Sequence, residues 1–446
     1  MTLTPLEPWI LAKIGFSPDS GLTARQTIDQ YQLWKLRETI DYARRLSPFY
    51  RKHLVGLKGM DLSSLDALAA IPFTRPQDIQ KCDLGFLCVS RSGIERVVTL
   101  ASSGTTAPAK RLYFSREDLE LTVDFFHHGM GTMVRRGEKV MILMPGELPG
   151  SVGDLLQKGL SRMGVSAVVH GLVRDAAKVL EEIVSREIDC LVGLPVQVLS
   201  LARHPKSFMV PTGRLKSILL SADYVPDAVV AELSQLWDVP VFNHYGMTET
   251  GLGGGVECSH RCGYHLREAD LFWEIVDPQS GRQLEAGELG EVVFTTLTRS
   301  GMPLIRYRTG DLARFLPDPC PCGTVLRRLE RVRGRISATV RLSGGETFNM
   351  ADLDEALFPL SFLLNFHPQL IRTDEGEVLE LVIETSGCDE QHAAGPIRRA
   401  LLGIPALRTA VAAGRLILGR FEQGKPLTVS GSIKRNIEDK RKEATC

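Results

Sequence analysis

The stretch VPVFNHYGMTETG, residues 239–251, decides the fold. Its first half is apolar and β-forming, its second half turns at Gly246, and Thr248 and Glu249 follow at once. A strand that ends in a polar, glycine-containing turn is where open α/β sheets place their ligands. Working outward, the same pattern recurs. RVVTLASS (96–103), KVMILMP (139–145), SAVVHG (166–171), CLVGLP (190–195) and SILLSA (217–222) are rich in Val, Ile and Leu and bounded by Gly, Pro or polar residues. Helical stretches separate several of them, over 175–185 and 227–237. Such alternation predicts α/β layers around a largely parallel sheet.

On either side the pattern changes. Residues 24–58 read as a helical start, with Leu33, Leu36, Ile40 and Ala43 on one face until Ser47-Pro48 ends the run. Over 268–315, FWEIVD (272–277), GEVVFTTL (290–297) and LARFL (312–316) are closely spaced strands with turns at Asp277-Pro278, Gly281 and Gly287, which predicts a small antiparallel or barrel-like unit. After Gly334-Arg335 the chain restarts. Strand runs at 337–342, 379–385 and 414–419 and a helix at 395–403 predict a small α+β domain. The expected architecture is a large N-terminal domain of layered α/β sheets with a β-rich subdomain, residues 1–333, and a small mobile α+β domain, residues 334–446.

Composition bounds the function. The 446 residues carry 43% hydrophobic and 24% charged side chains, as a folded globular chain does. Lys+Arg (53) balance Asp+Glu (53), so no net field draws nucleic acid or an anionic membrane. The basic group Lys434, Arg435, Lys440, Arg441 and Lys442 reads as a solvated helix face, with a local basic patch as the alternative. No signal peptide and no apolar stretch near the ~20 residues of a membrane span are present, so a cytoplasmic protein without membrane partners is expected. Nine cysteines in such a chain argue against a disulfide framework.

The first motif with chemistry in it is LASSGTTAPAKRLYFS, residues 100–115. A strand ends at Leu100, and Ser102, Ser103, Gly104, Thr105, Thr106 and then Lys110 follow. Hydroxyls around a glycine can wrap phosphate oxygens, and the lysine adds charge. The spacing is not that of a Walker loop. Read alone, the segment is equally an ordinary polar turn.

The loop resembles the phosphate-binding loop of the ANL adenylate-forming superfamily, [S/T]-S-G-[S/T]-T-G-x-P-K, with Ala107 and Ala109 at the family's usual Gly and Pro. FNHYGMTETG (242–251) resembles that family's N-x-Y-G-x-T-E motif, which covers Asn243, His244, Tyr245 and Gly246 here. The resemblance implies that Tyr245 stacks on adenine, Thr248 contacts phosphate and Glu249 helps hold Mg²⁺. YRTGDLARF (307–315) resembles Y-R-T-G-D-[IL], which makes Asp311 the ribose ligand, and Gly334-Arg335 matches the family's Gly-Arg pair, which makes Arg335 a second ribose or hinge contact. SADYVP (221–226) aligns with a segment usually beginning Gly-Ala-Glu, so Ser221, Ala222 and Asp223 are candidate nucleotide contacts. SPFYRKHL, IPFTRPQDI, MPLIRYRTGDL and PCPCG point to the phenylacetate–CoA ligase-like branch. The implied chemistry is ATP-dependent activation of a small carboxylic acid, aryl by analogy with the branch, to an acyl-adenylate that is passed to CoA.

Cys258 and Cys262 in ECSHRCGYH and Cys320 and Cys322 in CPCG are thiol pairs on tight turns, a pattern for structural zinc; the alternative is free thiols in a reducing cytosol. Branch members hold a three-cysteine, one-histidine site, which maps to Cys258, His265, Cys320 and Cys322, with Cys262 able to replace the histidine. The C-terminal PLTVSGSIKR (426–435) matches the family frame P-R-T-x-S-G-K-I-x-R but places Ser432 at the lysine. A hydroxyl cannot supply that charge, and Lys434 and Lys425 are the nearby candidates to replace it. Three functions stay open: an acid–CoA ligase, an enzyme passing the acyl group to a carrier thiol or amine, and a nucleotide- or acyl-adenylate-binding protein that has lost adenylation. The sequence is also compatible with a homodimer.

Overall fold

A computed structural model describes residues 3–57, 62, 64–100, 109–424 and 435–441. The chain divides into two compact units. One comprises residues 1–137, 146–166 and 242–332; the other comprises 138–145, 167–241 and 333–446.

The second unit holds the parallel sheet. Strands Lys139–Leu143, Cys190–Gly193 and Ser217–Leu220 pair in parallel. Cys190–Gly193 and Ser217–Leu220 are buried along their whole length, as continuous apolar runs between helical layers should be. Helices Ala176–Ser185, Pro195–Ala202 and Asp227–Trp237 pack on them through Val179, Leu180, Ile183, Val198, Leu199, Val229 and Leu233. The same core continues into residues 340–421. There, Leu363–Thr373 and Gly376–Thr385 form a long antiparallel hairpin, and Leu416–Gln423 pairs in parallel with the second of them. Helices Met350–Leu357, Glu390–Gly403 and Pro405–Ala412 complete this α+β region.

The first unit contains the β-rich part. Leu271–Val276, Gly290–Thr296 and Tyr307–Ala313 pair antiparallel in sequence order. Strand Val241–Tyr245 pairs antiparallel with Gly255–Glu257, which pairs with Tyr264–Leu266, which pairs with Arg328–Leu329. Helix Ala24–Leu46 opens on a Thr23–Gln26 capping box, and Ser47 caps the following helix Pro48–His53.

Several expectations need correction. Arg96–Leu100 is not a parallel strand. It forms an antiparallel pair with Lys110–Phe114, and its side chains alternate between exposed and half-buried because one face meets solvent. The strand expected at 337–342 shrinks to Val340–Arg341, and the third strand of the β-rich part starts at Tyr307 rather than Leu312. The basic group near the C-terminus is not a solvated helix face among its described members. Glu438–Asp439 is a short strand, Arg441 pairs with Glu377 and Asp439, and Arg435 is drawn inward. No described helix is long and apolar enough to cross a membrane.

Candidate active site

In the first unit, strand Val241–Tyr245 runs into Met247, still extended, and then a single 3-10 turn, Thr248–Thr250, which Gly251 closes at φ 72°. Gly246 must be glycine: a Cβ there would lie 2.4 Å from the Leu252 carbonyl oxygen and 2.7 Å from the His244 ring. The close approach that only glycine permits at 246 lets the chain turn at once, and Glu249 follows in the 3-10 turn.

Glu249 is buried, with 9% of its side chain exposed. Its carboxylate forms an ion pair with the Lys110 ammonium and accepts a 3.1 Å hydrogen bond from the Tyr307 hydroxyl. Lys110 Nζ is also 3.1 Å from that hydroxyl, so the three groups close a triangle. Arg299 braces the backbone by donating to the Glu249 carbonyl at 2.9 Å. A few residues along the same strand, Asp311 accepts from the Tyr245 hydroxyl at 2.8 Å. Tyr307 and Asp311 are four apart on one strand, across a register shift, and both are buried. The Tyr245 ring stacks on Tyr264 with centroids 5.8 Å apart.

The structure thus brings Lys110, Tyr245, Glu249 and Asp311 together in one unit, with Thr248 half-exposed at the head of the turn. Asn243 is fully buried and its backbone N–H donates to Glu257 at 2.9 Å. His244 lies against Phe125 and Phe126, and burial pushes its imidazole pKa down to about 4, so it is neutral. Ser221, Ala222, Asp223 and Arg335 belong to the second unit. Ala222 there takes a left-handed φ of 73°, an uncommon choice for a residue with a side chain. Ser102, Ser103, Gly104, Thr105, Thr106 and Lys434 lie outside the described residues. Tyr307 and Arg299 carry parts of the site that the sequence reading assigned no role. Tyr307 sits inside the quoted YRTGD motif, and its i, i+4 relation to Asp311 was the available signal.

A second cluster occupies the same unit. Ligand atoms of Cys258, His265, Cys320 and Cys322 all lie within 4.8 Å of one another, and all four residues are buried. The Cys258 and Cys320 sulfurs are 3.7 Å apart, and His265 Nε2 is 3.6 Å from the Cys322 sulfur. Two thiolates on a tetrahedral zinc with Zn–S bonds of ~2.3 Å would be separated by about 3.8 Å, so the donor set fits. Burial pushes the Cys258 and Cys320 thiols up and the His265 imidazole down to about 4, leaving the neutral ring that can ligate. Such burial disfavours thiolates unless a cation is present to reverse the balance. His265 Nδ1 is buried without a hydrogen-bond partner among the described residues. The Cys262 sulfur is also 3.7 Å from the Cys320 sulfur, and Arg328 donates to it at 3.0 Å and to the Cys262 carbonyl.

The comparisons with known proteins bear on the same residues. The family described as AMP-binding enzyme matches residues 97–298. A phenylacetate-coenzyme A ligase from Thermus thermophilus is 26% identical over 383 residues, covering 83% of this chain and 84% of the relative. One from Pseudomonas putida is 29% identical over 331 residues, covering 72% and 73%. Among solved structures, 2-hydroxyisobutyryl-CoA ligase in the postadenylation state in complex with 2-HIB-AMP shares the fold with a TM-score of 0.77 at 22% identity, covering 93% of this chain and 90% of that one. Family model, relatives and quoted motifs agree: the chain is similar to AMP-binding enzymes and, over most of its length, to phenylacetate-coenzyme A ligases.

Proposed function

We propose that this chain is an AMP-forming acid–CoA ligase. It activates a small carboxylic acid with ATP and passes the acyl group to the thiol of CoA. The observation that carries the reading is the buried Lys110–Glu249–Tyr307 triangle beside the Tyr245–Asp311 pair. The cluster gathers a lysine, two carboxylates and two tyrosines at a strand-end turn. A nucleotide needs each of them: an aromatic face for the purine, a carboxylate for the two ribose hydroxyls, a cation for phosphate and a carboxylate for Mg²⁺.

Lys110 and Glu249 neutralise each other in this structure. A polyphosphate would recruit Lys110 by charge and leave the Glu249 carboxylate, steadied by Tyr307, to face a hard cation. Mg²⁺ held there would offset charge between the phosphates. The acid's carboxylate oxygen attacks the α-phosphorus, the bond to the β-phosphate oxygen breaks, and pyrophosphate leaves. The thiolate of CoA then attacks the acyl carbon and AMP departs. The scheme takes residues 334–446 as its small lid and 1–333 as its body, a division that differs from the compact units, in which 333–446 join 138–145 and 167–241. Ser102–Thr106, Thr248 and Ser221–Asp223 are assigned to the nucleotide side, Arg335 to the ribose or hinge, and Lys434 to the charge that Ser432 lacks. An aryl acid is the substrate class that the branch suggests.

The test is mass detection of pyrophosphate and acyl-CoA from ATP, CoA and a panel of aryl and alkyl acids. The expected result is both products with at least one acid. Pyrophosphate with acyl transfer only to a carrier thiol would move the acceptor. Tight binding of synthetic acyl-adenylate without either product would replace the ligase by a binding protein.

We also propose that Cys258, His265, Cys320 and Cys322 hold a structural zinc, closed because four protein ligands leave no open position. Metal analysis should find about one zinc per chain. Cys320→Ser should lose it and lower Tm by at least about 5 °C. Cys262→Ser should keep the metal. Loss of zinc from Cys262→Ser with retention in His265→Ala would transfer the fourth ligand to Cys262.

A further inference from the structure

Arg435 is the first described residue after 425–434, and its side chain is only 14% exposed. Its Nε donates to Asp223 at 3.2 Å and its Nη2 to Asp354 at 2.6 Å. The guanidinium stands over Phe358 and Phe366, 5.1 and 5.5 Å from their centroids. Asp354 is fully buried, and burial pushes its carboxyl up to about 7 although Arg435 pulls it down.

The two carboxylates belong to distant parts of the sequence. Asp223 sits in the 221–226 segment that aligns with a nucleotide-side motif, and Asp354 sits on helix Met350–Leu357. The next residue of each joins them again: the Tyr224 hydroxyl donates to Glu355 at 2.6 Å. The Asp227 amide donates to the same oxygen at 3.1 Å. Asp223, Asp354 and Glu355 therefore meet as three acidic groups, and Arg435 is the cation that bridges the first two. Without it, Asp223 and Asp354 would face each other uncompensated in a dry setting, a like-charge contact that pushes the segments apart. A planar guanidinium reaching two carboxylates at once is a geometry that lysine reproduces poorly.

We propose that Arg435 is a positioning residue for the adenylation half-reaction: by bridging Asp223 to Asp354 it holds the chain just downstream of Lys434 against the 221–227 turn. The inference rests on the acid-activating reading above. Lys434 precedes Arg435 directly in sequence, so anchoring Arg435 beside the 221–227 turn limits the reach of the charge that Lys434 is proposed to supply at phosphate. Thioester formation does not need that charge, so the clamp acts on the first half-reaction and not on the second.

The experiment measures the two half-reactions separately, pyrophosphate release from ATP plus acid and transfer from synthetic acyl-adenylate to CoA, with Tm recorded for each variant. Arg435→Gln should lower pyrophosphate release by about 30- to 100-fold through misplacement while transfer stays within about threefold, and Arg435→Lys should recover only part of the loss. Asp354→Asn is the second variant, because an uncharged amide suits a buried position whose carboxyl already resists ionisation, and Arg435 keeps Asp223. It should lower pyrophosphate release by about 10-fold with transfer within about threefold. Equal losses in both half-reactions, or no loss in either, overturn the clamp and leave a structural staple. Absence of pyrophosphate from the native enzyme overturns the acid-activating reading itself, a result distinct from those.

Discussion

Glu249→Gln is expected to lower pyrophosphate release by about 10²- to 10³-fold, an effect of about 2.7–4 kcal/mol on the barrier. The substitution keeps the shape and an oxygen that can accept from Tyr307, so the 3-10 turn and the Arg299 brace survive. It removes the charge that balances Lys110 and that would meet a divalent cation. Transfer from synthetic acyl-adenylate to CoA, which needs no polyphosphate, should change by less than about fivefold, since uniform loss would signal damage to the whole site. The measurement is pyrophosphate release at saturating acid across a magnesium titration. Unchanged release would remove Glu249 from the first step.

The second large effect concerns the missing lysine. Lys434→Ala is expected to lower pyrophosphate release by about 10²- to 10³-fold, because the other charged residue of the 426–435 frame, Arg435, is already paired with Asp223 and Asp354. Adding Ser432→Lys to that variant should restore most of the activity, since it returns the charge to the family's own register. Restoration separates a lost charge from a lost fold. Full activity in Lys434→Ala would pass the role to Lys425, the other lysine near this frame.

How much of this was legible depends on what each segment had to signal. The runs at 139–143, 190–193 and 217–220 announce themselves because strands in a parallel sheet covered on both faces are apolar throughout. Helix Asp227–Trp237 follows from its own period. Strand Lys110–Phe114 was hidden by the two charges that begin it, and its pairing with Arg96–Leu100 reaches across the intervening loop. Strand Leu363–Thr373 was hidden by Pro368. The fold tolerates that proline because the strand on its other side, Glu438–Asp439, pairs only at Gln369 and Leu370. In the site, Tyr245, Glu249 and Asp311 stood out because each lies in a motif with a matched spacing. Tyr307 did not, since its part is read from a hydroxyl 3.1 Å from a carboxylate far away in sequence. Arg435 looked like one more solvated cation, because nothing local in PLTVSGSIKR points to Asp223 or Asp354.

The cysteine–histidine set has a consequence for how the chain matures. Cys258 and His265 leave the ribosome well before Cys320 and Cys322, and residues 266–319, with the three antiparallel strands Leu271–Val276, Gly290–Thr296 and Tyr307–Ala313, lie between them. A metal ion met early finds only half of its donors. The other half arrives in position when the intervening sheet has closed, because only the folded loop brings CPCG beside the Tyr264–Leu266 strand. Ring closure over that length costs little more entropy than closing a shorter loop, so completion of the sheet, rather than chain length, would gate uptake of the proposed zinc. Zinc capture would then act as a late quality checkpoint in biosynthesis. A chain misfolded in its β-rich part would emerge metal-free, and would be distinguishable on that ground from one damaged only at the nucleotide side.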